Sequence, residues 1–351
     1  MMLVVLIFLT SGLFLGWSLG ANDAANVWGT AVGTRVVRFK VAAIFCSVFV
    51  IIGAVVSGTG ASHTLGKLGS ISALPGAFTV ALAAALAVYW MTKAALPVST
   101  SQAIVGSIIG WNLFSGTHID VQALQKIVGT WLFSPILTAV FAIILYHIIS
   151  RLLKRVKIHL LRLDGWTRLL LIAAGAFGSY SLGANNIANV MGVFIESTSE
   201  VFQDFSLAGL VRITGVQQLF FLGGIAIAVG VFTYSKRVMY TVGSDIYKLS
   251  PITAFIVVLS SAIVLFLFAS QGLKDFLVSQ NLPSFPLVPV SSSQSIVGGV
   301  IGVGIARGGR NLNLKIIGKI GLGWIATPII AALISVVCLY IVQNVFDLPV
   351  F

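Results

Sequence analysis

Charge is scarce in this chain. Asp, Glu, Lys and Arg make up 9% of its 351 residues, where soluble domains carry about a quarter. With 58% hydrophobic residues, such a chain cannot cover itself with polar side chains, and that excludes an ordinary soluble globule. Acids are scarcer still, nine against 21 Lys and Arg. In an apolar chain this excess marks cytoplasmic loops rather than nucleic-acid binding. There are two cysteines, Cys46 and Cys338, both within apolar runs, where they read as small core hydrophobes. The four histidines, His63, His118, His147 and His159, show no metal-ligand spacing and no HExxH string. Metal-centred enzyme chemistry is thereby left without a ligand set, and no Ser–His–Asp set has sensible placement. The chain is not expected to be an enzyme.

What is abundant is apolar sequence. Residues 41–56, 78–90, 136–149, 252–269 and 325–342 are almost free of charge, and about 20 apolar residues suffice for a helix to cross a bilayer. The first 19 residues lack a basic start and run directly into a polar motif that recurs later, so they are expected to belong to the folded structure.

The chain is a duplicated unit. GANDAANVWGT at 20–30 returns as GANNIANVMGV at 183–193, and PVSTSQAIVGSIIG at 97–110 as PVSSSQSIVGGVIG at 289–302. Trp131 with Pro135 returns as Trp324 with Pro328. The offsets are 163, 192 and 193, so the second copy gains 29 residues between its first two landmarks. The expected boundaries are residues 1–149 for the first membrane repeat, 150–168 for a basic cytoplasmic linker, and 169–351 for the second repeat. The linker carries Arg151, Lys154, Arg155, Lys157, Arg162 and Arg168 against Asp164. It reads as a solvated loop or as an amphipathic helix on an anionic leaflet, with the helix favoured.

Charge orients the halves. Arg35, Arg38 and Lys40 follow the first polar motif, whereas Glu196, Glu200 and Asp204 follow its twin. The first PVS motif is followed by a nearly neutral stretch, the second by Arg307, Arg310, Lys315 and Lys319. Equivalent points carry opposite bias and so face opposite sides of the membrane. Lys93, Lys236, Arg237 and Lys248 then fall inside; Lys67 and Lys274 run against the trend. About five crossings per half and inverted repeats follow, a recurrent plan of secondary transporters.

Two polar motifs per half carry the chemistry. Glycines precede Asn22, Asp23 and Asn26 in copy one and Asn185, Asn186 and Asn189 in copy two. Glycine and Asn/Asp loosen helical geometry, so the helices are expected to break there. Freed carbonyls and oxygen-rich side chains suit a hard cation such as sodium. Asp23 is the only acid flanked by apolar helix, and a carboxylate in that setting is a functional candidate. The bland alternative, a helix cap, is weakened by the repetition of the motif. The second motif sets Pro97 and Pro289 before Ser99, Thr100, Ser101 and Gln102 and before Ser291, Ser292, Ser293 and Gln294. Proline followed by hydroxyls is a helix-start pattern, and two helix N-termini facing each other would clasp a small anion. Gly106/Gly110 and Gly298/Gly302 read as close helix packing.

With these strings in view, the chain resembles the PiT family of inorganic phosphate transporters. GANDAANVWGT is similar to the family's duplicated signature, and PVSTSQ and PVSSSQ to its second element. The resemblance covers nearly the whole chain. It implies sodium- or proton-coupled phosphate uptake, a site at the repeat interface, and a homodimer. Two features depart from the family: it commonly has Asp in both signature copies, where this chain has Asn186, and the long central loop of some members is missing. A related branch is thought to carry sulfate. Asp23 mildly favours phosphate, since it can accept a hydrogen bond from a P–OH group that sulfate lacks.

The fold expected is an all-α integral membrane protein, two inverted-topology repeats with broken helices and helical hairpins meeting at a midplane site. The function expected is cation-coupled uptake of phosphate across the plasma (inner) membrane by alternating access. Sodium is the first choice of cation and protons the alternative; a sulfate permease and an aquaporin-like channel are the rivals. Sodium is assigned to Asp23, Asn26, Asn186, Asn189, Gln102 and Gln294. Phosphate is assigned to Asn22, Asp23, Ser99 to Gln102, Asn185 and Ser291 to Gln294. Membrane lipid is the third partner, and no cofactor beyond the coupling ion is expected.

Overall fold

The computed structural model describes residues 2–93, 98–156, 159–207, 211–245, 249–309 and 314–351. Pro97, Lys157, Lys248 and Arg310, named above, lie outside the described residues. The first repeat contains α1 (Met2–Gly33), α2 (Phe39–Ser57), α3 (Thr59–Leu68), α4 (Leu74–Lys93), α5 (Thr100–Ser115) and α6 (Val121–Arg155). The second contains α7 (Leu160–Met191), α8 (Gly215–Thr233), α9 (Ser235–Asp245), α10 (Pro251–Ala269), α11 (Gln271–Ser279), α12 (Ser292–Ala306) and α13 (Leu314–Asn344). An antiparallel pair, β1 (Phe205–Leu207) and β2 (Val211–Ile213), lies between α7 and α8. Among the described residues, seven helices are long and apolar enough to cross a membrane: α1, α2, α4, α6, α8, α10 and Ile317–Asn344 of α13. Residues 150–168 are shared between the end of α6, which runs to Arg155, and the start of α7 at Leu160.

The repeats match helix for helix. α1 maps onto α7 at an offset of 163, but α4 maps onto α10 at 177, and α2 and α3 onto α8 and α9 nearly so. α5 then maps onto α12 at 192 and α6 onto α13 at 193. The 29 extra residues therefore fall in two places, 14 before α8 and 15 before α12. The first insertion forms the β1–β2 hairpin and the second forms α11.

Each half is completed by the other. α5 packs on α13 and α12 on α6; α1 packs on α8 and α7 on α2. The contacts recur as mirror-equivalent pairs. A Cβ on Gly106 would fall on the Pro328 carbonyl, and one on Gly298 on the Pro135 carbonyl. Likewise Gly20 seats against Ile227 and Gly183 against Val50. The glycines are there because backbone meets backbone, the small-residue packing of helices that lack a hydrophobic drive to associate in lipid.

The outer surface is apolar. Leu132, Ile136, Val140, Ile144 and Ile148 form an exposed stripe on α6, and Ile325, Ile329, Leu333, Val337 and Ile341 form its counterpart on α13. Polar side chains turn inward instead: Asp23, Asn185, Asn186, Asn189, Gln102 and Gln294 are all buried. This inside-out distribution is what hydrocarbon as solvent demands.

The breaks in the helices differ from the sequence expectation in place. The Asn-bearing motifs lie inside continuous helices, α1 and α7. Their amides find partners on other elements, so they do not compete with their own backbone, and their glycines serve close packing. The interruption comes at the PVS motifs. Val98 and Ser99, and the run from Leu282 to Ser291, are non-helical before α5 and α12 begin in the interior of the bundle.

Candidate functional site

The hydroxyl runs form the first turns of α5 and α12. Ser99 has extended backbone, φ −120° and ψ 116°, and its Oγ accepts from the Gln102 N–H at 3.4 Å. Ser291 caps α12 in the same way, accepting from Gln294 N–H at 3.3 Å. Both caps satisfy one of the free N–H groups that every helix start presents. The two caps also touch each other, with Ser99 Oγ donating to Ser291 Oγ at 2.8 Å. Ser101 Oγ donates to the Val290 carbonyl and Ser293 Oγ to the Val98 carbonyl, both at 3.1 Å. Equivalent residues thus bond across a two-fold relation.

The Asn motifs close on these turns from opposite repeats. Ser292 Oγ donates to Asp23 Oδ2 at 2.9 Å, and Asn22 Nδ2 donates to Asp23 Oδ1 at 3.0 Å. Asn26 Nδ2 lies 3.3 Å from both Ser292 Oγ and Ser293 Oγ. In the other copy, Asn189 Nδ2 donates to Ser101 Oγ at 2.8 Å and to Asn186 Oδ1 at 2.9 Å. Ser101 Oγ also lies 3.3 Å from Asn186 Oδ1. Asn185 grips the Val290 peptide with both ends of its amide, at 2.6 Å and 3.0 Å.

The site residues named from sequence therefore converge, copy one's α1 on copy two's α12 and copy two's α7 on copy one's α5. Some of their polar atoms find no partner there. Thr100 Oγ1, Gln102 Oε1 and Gln294 Oε1 are buried in the first turns without a hydrogen-bond partner among the described residues. Asn186 Nδ2 and Asn189 Oδ1 are in the same condition. A cluster of unpartnered donors and acceptors inside a helical bundle marks a candidate binding site, because each such group is destabilising when left unmet. Two members escaped the sequence reading, the carbonyls of Val98 and Val290. Their only signal was position, since a main-chain oxygen carries no side-chain signature. Among the described residues no three His, Cys, Asp or Glu side chains cluster to hold a metal.

A duplicated, predominantly helical membrane fold with a polar site buried between its repeats defines a multi-pass membrane protein of the solute-carrier kind. The chain belongs to the phosphate transporter family: the family model matches it twice, over residues 19–163 and 161–335. The chain is similar to a phosphate permease of Methanocaldococcus jannaschii, 30% identical over 92% of each chain. It is also similar to a low-affinity inorganic phosphate transporter of Rhizobium meliloti, 31% identical over 93% of each. A solved structure titled "The sodium-dependent phosphate transporter" shares the fold, with a TM-score of 0.76, 23% identity, and coverage of 97% of this chain and 99% of that one. These relatives are permeases, and the chain is not an enzyme.

Proposed function

We propose that the chain takes up inorganic phosphate together with sodium, by alternating access between two inverted repeats. The observation that carries this is the Ser292–Asp23 hydrogen bond at 2.9 Å. It sets a buried carboxylate of one repeat against the first turn of a helix of the other. A carboxylate there is stable as an anion only beside a cation or strong donors. Sodium takes the charge of Asp23, with the side-chain oxygens of Asn26 and Gln294 as further hard ligands. Asn186, Asn189 and Gln102, expected from sequence as sodium ligands too, occupy the equivalent place at the second Asn motif, without a carboxylate. Phosphate then docks on hydroxyls and free N–H groups at the starts of α5 and α12, from Ser99 to Gln102 and from Ser291 to Gln294, with Asn22 and Asn185 beside them. Cation and anion lower each other's desolvation cost, which couples their binding.

The inversion is supported by charge. Arg35, Arg38 and Lys40 follow α1, whereas Glu196 and Glu200 follow α7, its counterpart. The positive-inside tendency puts those ends on opposite sides of the membrane. The same tendency supports a cytoplasmic position for residues 150–168; residence in the plasma membrane and pairing with a second copy belong to the proposal. Rocking one half against the other would open the shared site to each side in turn.

The direct test is uptake of labelled phosphate into proteoliposomes with and without an inward sodium gradient. Faster, saturable uptake with the gradient is the expected result. Equal uptake in both conditions, with a proton gradient driving it instead, would replace sodium by protons. Sulfate competing as well as arsenate would replace phosphate by a broader oxyanion.

A further inference from the structure

We infer that only the first copy of the Asn motif holds a coupling cation, so that one sodium ion accompanies each monovalent phosphate, and that Asn186 serves the anion instead. The inference rests on the function proposed above and fixes its stoichiometry.

Asp23 and Asn186 are equivalent residues, 163 apart like the motifs that contain them. Each has its Oδ1 beside the amide of the Asn that precedes it. Asn22 Nδ2 donates to Asp23 Oδ1 at 3.0 Å, and Asn185 Nδ2 lies 3.4 Å from Asn186 Oδ1. The other terminal atoms, Asp23 Oδ2 and Asn186 Nδ2, therefore correspond. There the likeness ends. Ser292 hydroxyl donates to Asp23 Oδ2, but Thr100, the residue equivalent to Ser292, makes no such bond. Both Thr100 Oγ1 and Asn186 Nδ2 are buried and unpartnered among the described residues. Thr100 is 1% exposed and Asn186 0%.

The orientation of the Asn186 amide is not free. The Val290 peptide fixes both ends of Asn185. Asn185 then presents N–H to Asn186, and Asn189 Nδ2 does the same at 2.9 Å. Asn186 must turn its oxygen toward these donors, which leaves its NH2 as the open group. Asn186 was expected from sequence as a sodium ligand. An NH2 group repels a cation and binds an oxygen of an anion. With no carboxylate in this copy, no side-chain charge offsets the desolvation of a second ion. The unpartnered acceptors nearby in sequence and turn, Asn189 Oδ1 and Gln102 Oε1, call for O–H donors. Monovalent phosphate supplies both kinds of group: bare oxygens for Asn186 Nδ2 and the Thr100 hydroxyl, and P–OH groups for the amide oxygens. Sulfate lacks the second kind.

The charges then balance. One sodium ion and one monovalent phosphate move no net charge, so uptake at acidic pH is electroneutral. Restoring the carboxylate by Asn186→Asp adds a second cation and makes each cycle carry positive charge inward.

The test uses the full chain in proteoliposomes at about pH 5, below the second ionisation of a phosphate group. Labelled sodium and labelled phosphate are counted in parallel, with and without an inside-negative potential. The wild type is expected to take up equal amounts of each, at a rate unmoved by the potential. Asn186→Asp is expected to double the sodium taken up per phosphate and to be accelerated by the potential. A wild-type ratio of two sodium ions or more overturns the inference, as does an Asn186→Asp protein that keeps the wild-type ratio. Should that variant not fold, the wild-type ratio decides alone. Phosphate uptake that ignores sodium altogether refutes the proposed function instead.

Discussion

The two copies of the Asn motif share a scaffold and differ in what they offer a ligand. Asn22 and Asn26 are partly exposed and flank a carboxylate, whereas Asn185, Asn186 and Asn189 are sealed and neutral. The packing beneath them is nearly interchangeable: Gly106 on Pro328 repeats as Gly298 on Pro135. The duplication has thus kept its helix contacts and let its ligand chemistry diverge. Asp23 itself is buried, with the partly exposed Asn22 and Asn26 on either side of it in sequence.

Removing the difference should have the largest effect. Asp23→Asn makes the two motifs chemically alike and takes away the only charge of the site. Loss of a buried charge-assisted interaction amounts to about 2–3 kcal/mol, so sodium-driven phosphate uptake should fall by about 100-fold. Full gradient-dependent uptake by this variant would remove Asp23 from the mechanism. Smaller effects should follow from testing the likeness. Gly106→Ala and Gly298→Ala each force a methyl group onto a proline carbonyl, at a cost of about 1–3 kcal/mol. Detergent-solubilised protein should lose thermal stability to a similar extent in both; a variant tolerated in one copy and not the other would show that the packing has diverged too. The smallest effect belongs to the β1–β2 hairpin, which the first repeat lacks. The Gly215 backbone N–H and the Arg212 guanidinium hold the Asp204 carboxyl below the usual carboxylate range. A lowered value means that this support is present above the ordinary carboxylate range and disappears as pH falls through the lowered one. Protection of the Phe205–Leu207 amides against hydrogen exchange should therefore decline as pH falls below the ordinary carboxylate range. Unchanged protection across that window would detach Asp204 from the hairpin's stability.

Much of this was legible in the sequence because duplication writes the same message twice. The paired motifs gave the repeats and the residues that converge between them, and opposite flanking charges gave the inversion as an expectation. Three things were hidden. The Trp131/Pro135 and Trp324/Pro328 landmarks and the Gly106 and Gly298 pairs were visible separately, but that each proline meets the other repeat's glycine is a long-range contact with no local trace. The helix breaks were expected at the glycine- and Asn-bearing motifs, where local propensity points, yet tertiary partners meet the Asn amides and the breaks lie at the PVS motifs instead. The 29-residue excess looked like one insertion, since no landmark stood between the motifs to divide it.

The bond between Ser99 and Ser291 has a consequence of its own. Two equivalent hydroxyls facing each other cannot both donate, so a single proton gives the pair a direction that the heavy atoms do not have. Turning both hydroxyls about their C–O bonds reverses that direction with no backbone movement. At this one point the two halves can trade parts at the level of a hydrogen atom.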